Sequence, residues 1–184
     1  MPRPPSAMRR QILDSALRLF AEHGFKGTSL HDIAVEAQCS KASLLYHFAG
    51  KDAILTELLT PPAEALSAMG EELAALTGGQ AVEAAVTGYV GLAMRFHLEV
   101  KIIFAELPDM LGHPVLALIP RAVDQLADAL AGRSDEPRAR VAAQMVIGGV
   151  AVTVAADVDA EPATMRDELV RGALRTLGHP TGLS

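Results

Sequence analysis

The chain has 184 residues, half of them hydrophobic, and a formal net charge of −6. This composition is sufficient to build a hydrophobic core, and the negative charge excludes a general polyanion-binding protein. Cys39 is the only cysteine, so no disulfide can form within the chain, which is typical of a reducing cytoplasm. The first ten residues lack the apolar segment of a signal peptide, and we therefore expect a cytoplasmic protein.

The charge is divided unevenly along the chain. Residues 1–51 carry seven Lys and Arg against four acidic residues, whereas the remainder carries nine against eighteen. Because the N-terminal part is basic and the remainder is acidic, we expect contacts with phosphates in the N-terminal part only. We therefore predict two domains, one at residues 1–51 and one at residues 52–184.

The first predicted helix follows a Pro- and Arg-rich start. Its buried stripe consists of Ile12, Ala16, Leu19 and Phe20. Gly24 is a candidate for the C-terminal cap. Arg9 and Arg10 lie in the first turns, where they either reach a phosphate backbone or are ordinary solvated surface residues.

Two short helices follow, joined by a tight turn at Gln38 and Cys39. Thr28 can cap the first of them, and Ser40 can cap the second. The inner face of the first consists of Leu30, Ile33, Ala34 and Ala37, and that of the second of Leu44 and Phe48. A left-handed turn would place Gln38 at positive φ. Cys39 fills the position of a buried aliphatic residue, with a redox-sensing thiol as the less favoured alternative.

The outer face of the second short helix carries small, hydroxyl-bearing, aromatic and basic residues. Opposite the apolar side lie Ala42, Ser43 and Tyr46, flanked by Leu45 and His47, with Lys41 in the first turn. Small residues allow a helix to enter the major groove of DNA, and hydroxyl, imidazole and ammonium groups suit phosphate oxygens.

Residues 9–55 resemble the DNA-binding domain of the TetR-type family of bacterial transcriptional regulators. The most specific part is the string SKASLLYHFAGKDAIL at residues 40–55. The matching residues are Ile12, Ala16, Phe20, Gly24, Phe25, Thr28, Ser29, Ile33, Ala34, Ala37, Ser40, Lys41, Ser43, Leu44, Tyr46, His47, Phe48 and Lys51. The chain departs from the family pattern at Gln38 and Cys39, where a Gly-hydrophobic pair is usual, and at Leu45, where an aromatic residue is common.

The resemblance implies an all-α protein with an N-terminal three-helix helix-turn-helix domain and a C-terminal antiparallel helical bundle that binds an effector and dimerises. It assigns phosphate contacts to Thr28, Ser29, Tyr46, His47 and Lys51. It assigns base contacts to Lys41, Ala42, Ser43 and Leu45, and leucine can touch a thymine methyl group.

The rest of the chain predicts helices and no strands. We expect a connecting helix from Asp52, a kink or restart at Thr60, Pro61 and Pro62, and a further kink at Pro120. The later helices are expected near 62–76, 80–106, 114–131, 137–157 and 162–177.

The body contains no phosphate-binding glycine loop, nucleophile motif or metal-ligand spacing, so we expect neither an enzyme nor a cofactor or metal. Apolar and adaptable side chains in this part either line a ligand pocket or form ordinary core. The pocket candidates are Met94, His97, Phe104, Met110 and Met145.

The apolar run at 141–156 is shorter than the roughly 20 residues that a membrane span needs, so we expect a core helix and no membrane. Small residues in the last two helices allow close helix contacts, and the resemblance implies that these helices pair with their copies in a homodimer.

The expected function is a repressor that leaves a near-palindromic double-stranded DNA operator when a small, largely apolar effector binds. The alternatives are a regulator controlled by a protein partner, an activator, or an enzyme or carrier whose helix-turn-helix is only structural.

Overall fold

The computed structural model describes residues 5–110, 119–156 and 158–179, and helices are the only regular secondary structure within these ranges. This confirms the predicted all-α fold. The helices are α1 (Pro5–Gly27), α2 (Leu30–Glu36), α3 (Lys41–His47), α4 (Lys51–Leu73), α5 (Gly78–Arg95), α6 (His97–Met110), α7 (Ile119–Leu130), α8 (Pro137–Ala155) and α9 (Pro162–Thr176).

The helices α1 to α3 form a small N-terminal head around a core of large side chains. Ile12, Phe20, Ile33 and Leu44 are almost completely buried in this core. Gly24 has φ 77° and ψ 161°, so the helical conformation of α1 is interrupted at this residue, where a side chain would strain the backbone. The helical spacing in the sequence therefore identified the core of the head correctly.

Helix α4 continues through Pro61 and Pro62, so the predicted restart there is wrong. A proline inside a helix costs about 3 kcal/mol because a backbone hydrogen bond is lost. Packing offsets this cost, since Leu58 and Leu59 are buried on one side of the prolines and Ala63 is buried on the other. Each buried leucine contributes roughly 1.5–3 kcal/mol.

The body is a bundle in which α5, α7, α8 and α9 share a second core of Val, Leu and Ala residues. The single helix expected at 80–106 is wrong, because Phe96 leaves the helical conformation (φ −110°, ψ 36°) and separates α5 from α6. Pro120 is the second described residue of α7, and the kink predicted at Pro120 stays a prediction. The expected helix start at residue 114 lies outside the described residues.

The head and the body are joined by more than α4. Ile102 on α6 is completely buried in the core of the head, and Ile103 packs against the same core. Leu55 and Leu59 on α4 belong to this core as well. The division after residue 51 stays a prediction, since the hydrophobic core of the head extends beyond it.

Candidate nucleic-acid interface

A tight turn fixes α3 against α2. Gln38 has φ 51°, as the left-handed turn requires, although it is not a glycine. The Ser40 hydroxyl accepts a hydrogen bond from the Ser43 amide at 3.0 Å and so caps α3, as predicted. The two helices thus meet at a defined angle without the usual glycine.

Helix α3 has one buried and one exposed side. Leu44 is fully buried and Phe48, directly after the helix, is 3% exposed. On the opposite side, Tyr46 is 83% and Leu45 46% exposed. Lys41 and Ala42 are exposed as well, whereas Ser43 and His47 are half-buried. The structure therefore places the predicted base-contacting residues and Tyr46 on the side of α3 that faces away from the core.

Ser29, not Thr28, caps α2. The Ser29 hydroxyl accepts from the Asp32 amide at 3.2 Å, and the Ser29 amide donates to the Asp32 carboxylate at 2.8 Å. The Ser29 hydroxyl also donates to the Asp32 carboxylate at 2.7 Å, and this bond, followed by the one from the Ser29 amide, stabilises the charged form and lowers the pKa of Asp32. The prediction that Thr28 is the cap was wrong by one residue.

Thr28 is buried instead, at 2% exposure. Its hydroxyl donates to the Gly24 carbonyl at 2.9 Å and the Leu19 carbonyl at 3.2 Å. The side chain of Thr28 therefore ties the loop to α1, and the phosphate contact that the resemblance implied for Thr28 stays a prediction.

The ammonium group of Lys51 points into the head. Its Nζ donates to the Phe25 carbonyl at 2.5 Å and to the Thr28 carbonyl at 2.8 Å. The same nitrogen lies 4.3 Å from the centre of the Phe25 ring, within range of a cation–π interaction. The phosphate contact that the resemblance implied for this lysine stays a prediction.

Arg9 likewise contacts the protein. Its guanidinium group pairs with the Glu57 carboxylate on α4 and lies 4.6 Å from the centre of the Phe48 ring. These partners are about 40 to 50 positions distant in sequence, and local patterns carry no signal for them.

The expected effector residues are only partly brought together. Met94 and His97 lie at the junction of α5 and α6 and line a cavity of about 320 Å³. The other lining residues come from the end of α8, the α8–α9 connection and the start of α9, and are Val154, Ala156, Val158, Ala160, Pro162 and Met165. Phe104 and Met145 are exposed and lie outside this lining, and the side chain of Met110 lies outside the described residues.

Cys39 is half-buried in the α2–α3 turn, and burial raises the pKa of its thiol. A raised pKa leaves less of the reactive thiolate at neutral pH. This favours the reading of Cys39 as a packing residue over a redox sensor.

Helix α8 is not buried on all sides. Its inner side packs into the bundle through Ala143, Val146 and Val150. Its outer side exposes Val141, Met145 and Val152, and Met145 is 62% exposed. In length and composition α8 would also suit a membrane, as core helices of bundles often do. We call this outer side, with Gly148 and Gly149 between the large residues, the α8 stripe.

Two short helices that meet at a tight turn, with the second capped and facing outward, are typical of a helix-turn-helix DNA-binding protein. Residues 12–58 match the model of the bacterial regulatory proteins of the tetR family. The HTH-type transcriptional regulator RutR of Escherichia coli K12 is 33% identical over 153 residues, covering 81% of this chain and 67% of RutR. The chain therefore belongs to the TetR family.

Two further likenesses differ in their extent. IcaR of Staphylococcus aureus Newman, a negative regulator of the biofilm operon icaADBC, is 49% identical over 47 residues, which are 26% of this chain and 25% of IcaR. The ketosteroid regulator KstR2 of Mycobacterium tuberculosis superimposes with a TM-score of 0.77 and 21% identity, covering 92% of this chain and 93% of KstR2. The second likeness concerns the fold.

Proposed function

We propose that this TetR-family regulator is a homodimeric repressor that binds a near-palindromic operator and is released by a small, largely apolar effector. IcaR, which is 49% identical over 47 residues, is a negative regulator, and this supports repression. An enzyme or carrier with a merely structural helix-turn-helix is disfavoured, because RutR, which is similar over most of the chain, is a transcriptional regulator.

The proposal of operator binding rests on the residues of the exposed side of α3. Ala42 is small enough to allow close approach to base edges, and Leu45 offers an apolar contact to a thymine methyl group. Lys41 and Ser43 complete the proposed base contacts. All four lie within the first five residues of α3, and the N-terminal residues of such a helix are the ones that reach bases in the major groove.

Phosphate contacts are proposed for Ser29, Tyr46 and His47. Ser29 and Tyr46 are exposed, and they lie at the start of α2 and near the end of α3. Contacts at these two positions would hold α3 in the groove without reading sequence. Thr28 and Lys51 are proposed as further phosphate contacts; within the head, the Thr28 hydroxyl donates to the Gly24 carbonyl and the Lys51 ammonium group to the Phe25 carbonyl.

Homodimerisation is proposed through α8 and α9. The α8 stripe exposes three large apolar side chains, and a Cβ atom added to Gly148 or Gly149 would meet no atom of the chain within 4 Å. A second copy of the helix could therefore approach the backbone closely and cover the apolar surface. Two heads held in this way match two half-sites about one helical turn apart.

The effector site is proposed at the cavity beside Met94 and His97. Seven of its eight lining residues are apolar, and its volume of about 320 Å³ suits a small molecule. A larger groove of about 450 Å³ lies on the head, but Arg10, Asp14, Arg18 and Glu36 line it with charges of both signs, which does not suit an apolar effector.

Footprinting of the protein on its own upstream DNA at two salt concentrations tests the proposal. A protected near-palindrome at nanomolar protein concentration is the expected result. Weak protection without sequence preference, lost on raising the salt, would contradict operator binding there, because such binding is purely electrostatic. Small apolar compounds are then screened for release of the protected fragment, and release by a protein fraction alone would favour control by a partner.

A further inference from the structure

We infer that the effector of the cavity beside Met94 and His97 is an uncharged molecule with an apolar body and one hydroxyl or carbonyl group, and that His97 selects for this group. The inference rests on the proposed effector site and names the chemistry that this site accepts.

The cavity has two walls of different origin. Met94 and His97 belong to the wall at the break between α5 and α6. The other wall includes the connection between α8 and α9, where the Val158 amide donates to the Ala156 carbonyl at 2.6 Å and the Ala160 amide donates to the Val158 carbonyl at 2.9 Å. Backbone hydrogen bonds of this kind hold the connection in one conformation, so it can form a wall of a binding site.

Most of the lining is apolar, and part of it is adaptable. Seven of the eight described lining residues are apolar. Met94 comes from α5 and Met165 from α9, and the flexible, polarizable thioether of methionine adjusts to the outline of a ligand. Such a lining binds an apolar body, because it removes the surface of that body from water.

The charged side chains near the cavity in sequence are not among its described lining residues. The guanidinium group of Arg95 lies 5.0 Å from the centre of the Phe96 ring. Glu99 is half-buried on α6, and burial raises the pKa of its carboxyl group. Asp159 and Glu161 are exposed. An ionic effector would therefore enter the cavity without a lining residue of opposite charge, which is strongly unfavourable.

His97 is the polar residue among those that line the cavity. An imidazole offers a hydrogen-bond donor and, in its neutral form, an acceptor as well. Because His97 is also exposed to solvent, one ring nitrogen can bond the effector while the other bonds water. A hydroxyl or carbonyl group on the effector satisfies this nitrogen, whereas a hydrocarbon leaves it without a partner in the cavity.

Four compounds of nearly equal size test the inference. Benzyl alcohol, toluene, benzoate and benzylammonium share one aromatic ring and differ in the group attached to it. Each is titrated at pH 8, where an ordinary imidazole is largely uncharged, into protein with isotope-labelled methionine methyl groups. The NMR signals of Met94 and Met165 report on the cavity, and Met8, which packs against the core of the head, is the control.

We expect benzyl alcohol to shift the signals of Met94 and Met165 and to leave that of Met8 unchanged. Benzoate and benzylammonium should bind at least about tenfold more weakly, because each brings an unpaired charge into an apolar cavity.

Two variants of His97 test its role in selection. His97→Phe keeps a ring but cannot make the hydrogen bond, whereas His97→Gln keeps a donor and an acceptor. His97→Phe should weaken the binding of benzyl alcohol about fivefold and that of toluene less than about twofold, since a neutral hydrogen bond makes a modest net contribution. His97→Gln should bind benzyl alcohol within about twofold of the unsubstituted protein. Both variants should fold, because the substituted residue is exposed.

The inference is overturned if benzoate or benzylammonium binds as tightly as benzyl alcohol, or if none of the four compounds shifts the signals of Met94 and Met165. It is also overturned if His97→Phe changes the affinities for benzyl alcohol and toluene equally, because the residue would then contribute only to the shape of the cavity.

Release of the footprinted DNA fragment is measured separately, and release by benzyl alcohol is the expected result. Retention of the DNA while the cavity is occupied with the expected selectivity would overturn the proposed effector role and leave ligand selection by His97 intact. Release of the DNA without a shift of the Met94 and Met165 signals would overturn the inference about this cavity and leave an effector-controlled regulator.

Discussion

Helices α3 and α8 each leave one side uncovered in the single chain, and the two sides differ in chemistry. The outer side of α3 combines an ammonium group, a hydroxyl and one large aromatic ring with small residues. The outer side of α8 exposes Val141, Met145 and Val152, with Gly148 and Gly149 between them. Exposure alone does not identify a partner. The donors and cation of α3 suit a polyanion, whereas the apolar stripe of α8 suits a second helix.

The largest effect is expected from a charge in the α8 stripe. Met145→Asp would bury one carboxylate from each subunit in an apolar contact, at a cost of several kcal/mol. The dissociation constant of the dimer then rises at least about a hundredfold. Analytical ultracentrifugation measures this shift. Thr87→Asp, on an exposed position of α5, is the matched control and should leave the mass unchanged. A Met145→Asp protein that stays dimeric would contradict the proposed interface.

On α3 the next largest effect is expected from Tyr46→Ala. The side chain is almost fully exposed, so the free energy of unfolding should change by no more than about 0.5 kcal/mol. Operator affinity should fall by about tenfold to a hundredfold, since contacts of this kind contribute about 1–3 kcal/mol. Titration of the footprinted DNA fragment measures this affinity. The Tyr46→Phe variant shows whether the hydroxyl group or the ring makes the contact. Unchanged affinity would remove Tyr46 from the interface.

Gly149→Ala is expected to have two smaller effects, one on the stability of the single chain and one on the affinity of the dimer. In the single chain the new Cβ meets no atom within 4 Å, so alanine should stabilise α8 by about 0.5–1 kcal/mol. In the dimer the same methyl group obstructs close helix approach, and the dimer weakens by about tenfold.

Urea unfolding in the monomeric Met145→Asp background measures the first part of this prediction, and sedimentation of the single variant measures the second. Gly91→Ala on α5, where the Cβ also meets nothing, should raise stability without changing the dimer. An equally strong or stronger Gly149→Ala dimer would speak against close contact at this glycine.

The smallest effect is expected at the turn before α3. Gln38 adopts φ 51°, which costs a non-glycine residue about 1–2 kcal/mol, and glycine relieves this strain at an entropic cost of about 0.5–1 kcal/mol. Gln38→Gly should therefore raise the free energy of unfolding by less than about 1 kcal/mol, measured as a higher urea midpoint. Gln38→Ala, which keeps a Cβ, should not. Lower stability of the glycine variant would mean that the glutamine side chain itself stabilises the turn.

Local periodicity was sufficient to predict the two sides of α3. Leu44 and Phe48 recur at helical spacing and are buried, and Leu45 and Tyr46 between them are exposed. The same reasoning misplaced the cap of α2 by one residue. Thr28 and Ser29 are both suitable caps, and the choice depended on the Leu19 and Gly24 carbonyls, which draw the Thr28 hydroxyl towards α1.

The path of α4 and the break before α6 were not predictable in this way. Two prolines indicate a kink, and only the burial of Leu58, Leu59 and Ala63 on either side of them keeps the helix continuous. Residues 80–106 contain no strong breaker between α5 and α6. The chain turns at Phe96 so that α6 can place Ile102 in the core of the head.

The sequence by itself determined the helical class, the buried and exposed sides of the short helices and the family, because these depend on residue types at short spacing. The tertiary structure alone decided what the cations contact. Arg9 contacts Glu57 and Lys51 contacts Phe25, and these partners lie dozens of residues away and are brought near only by folding. A cation binds whichever acceptors folding places within its reach, and sequence spacing does not encode that distance.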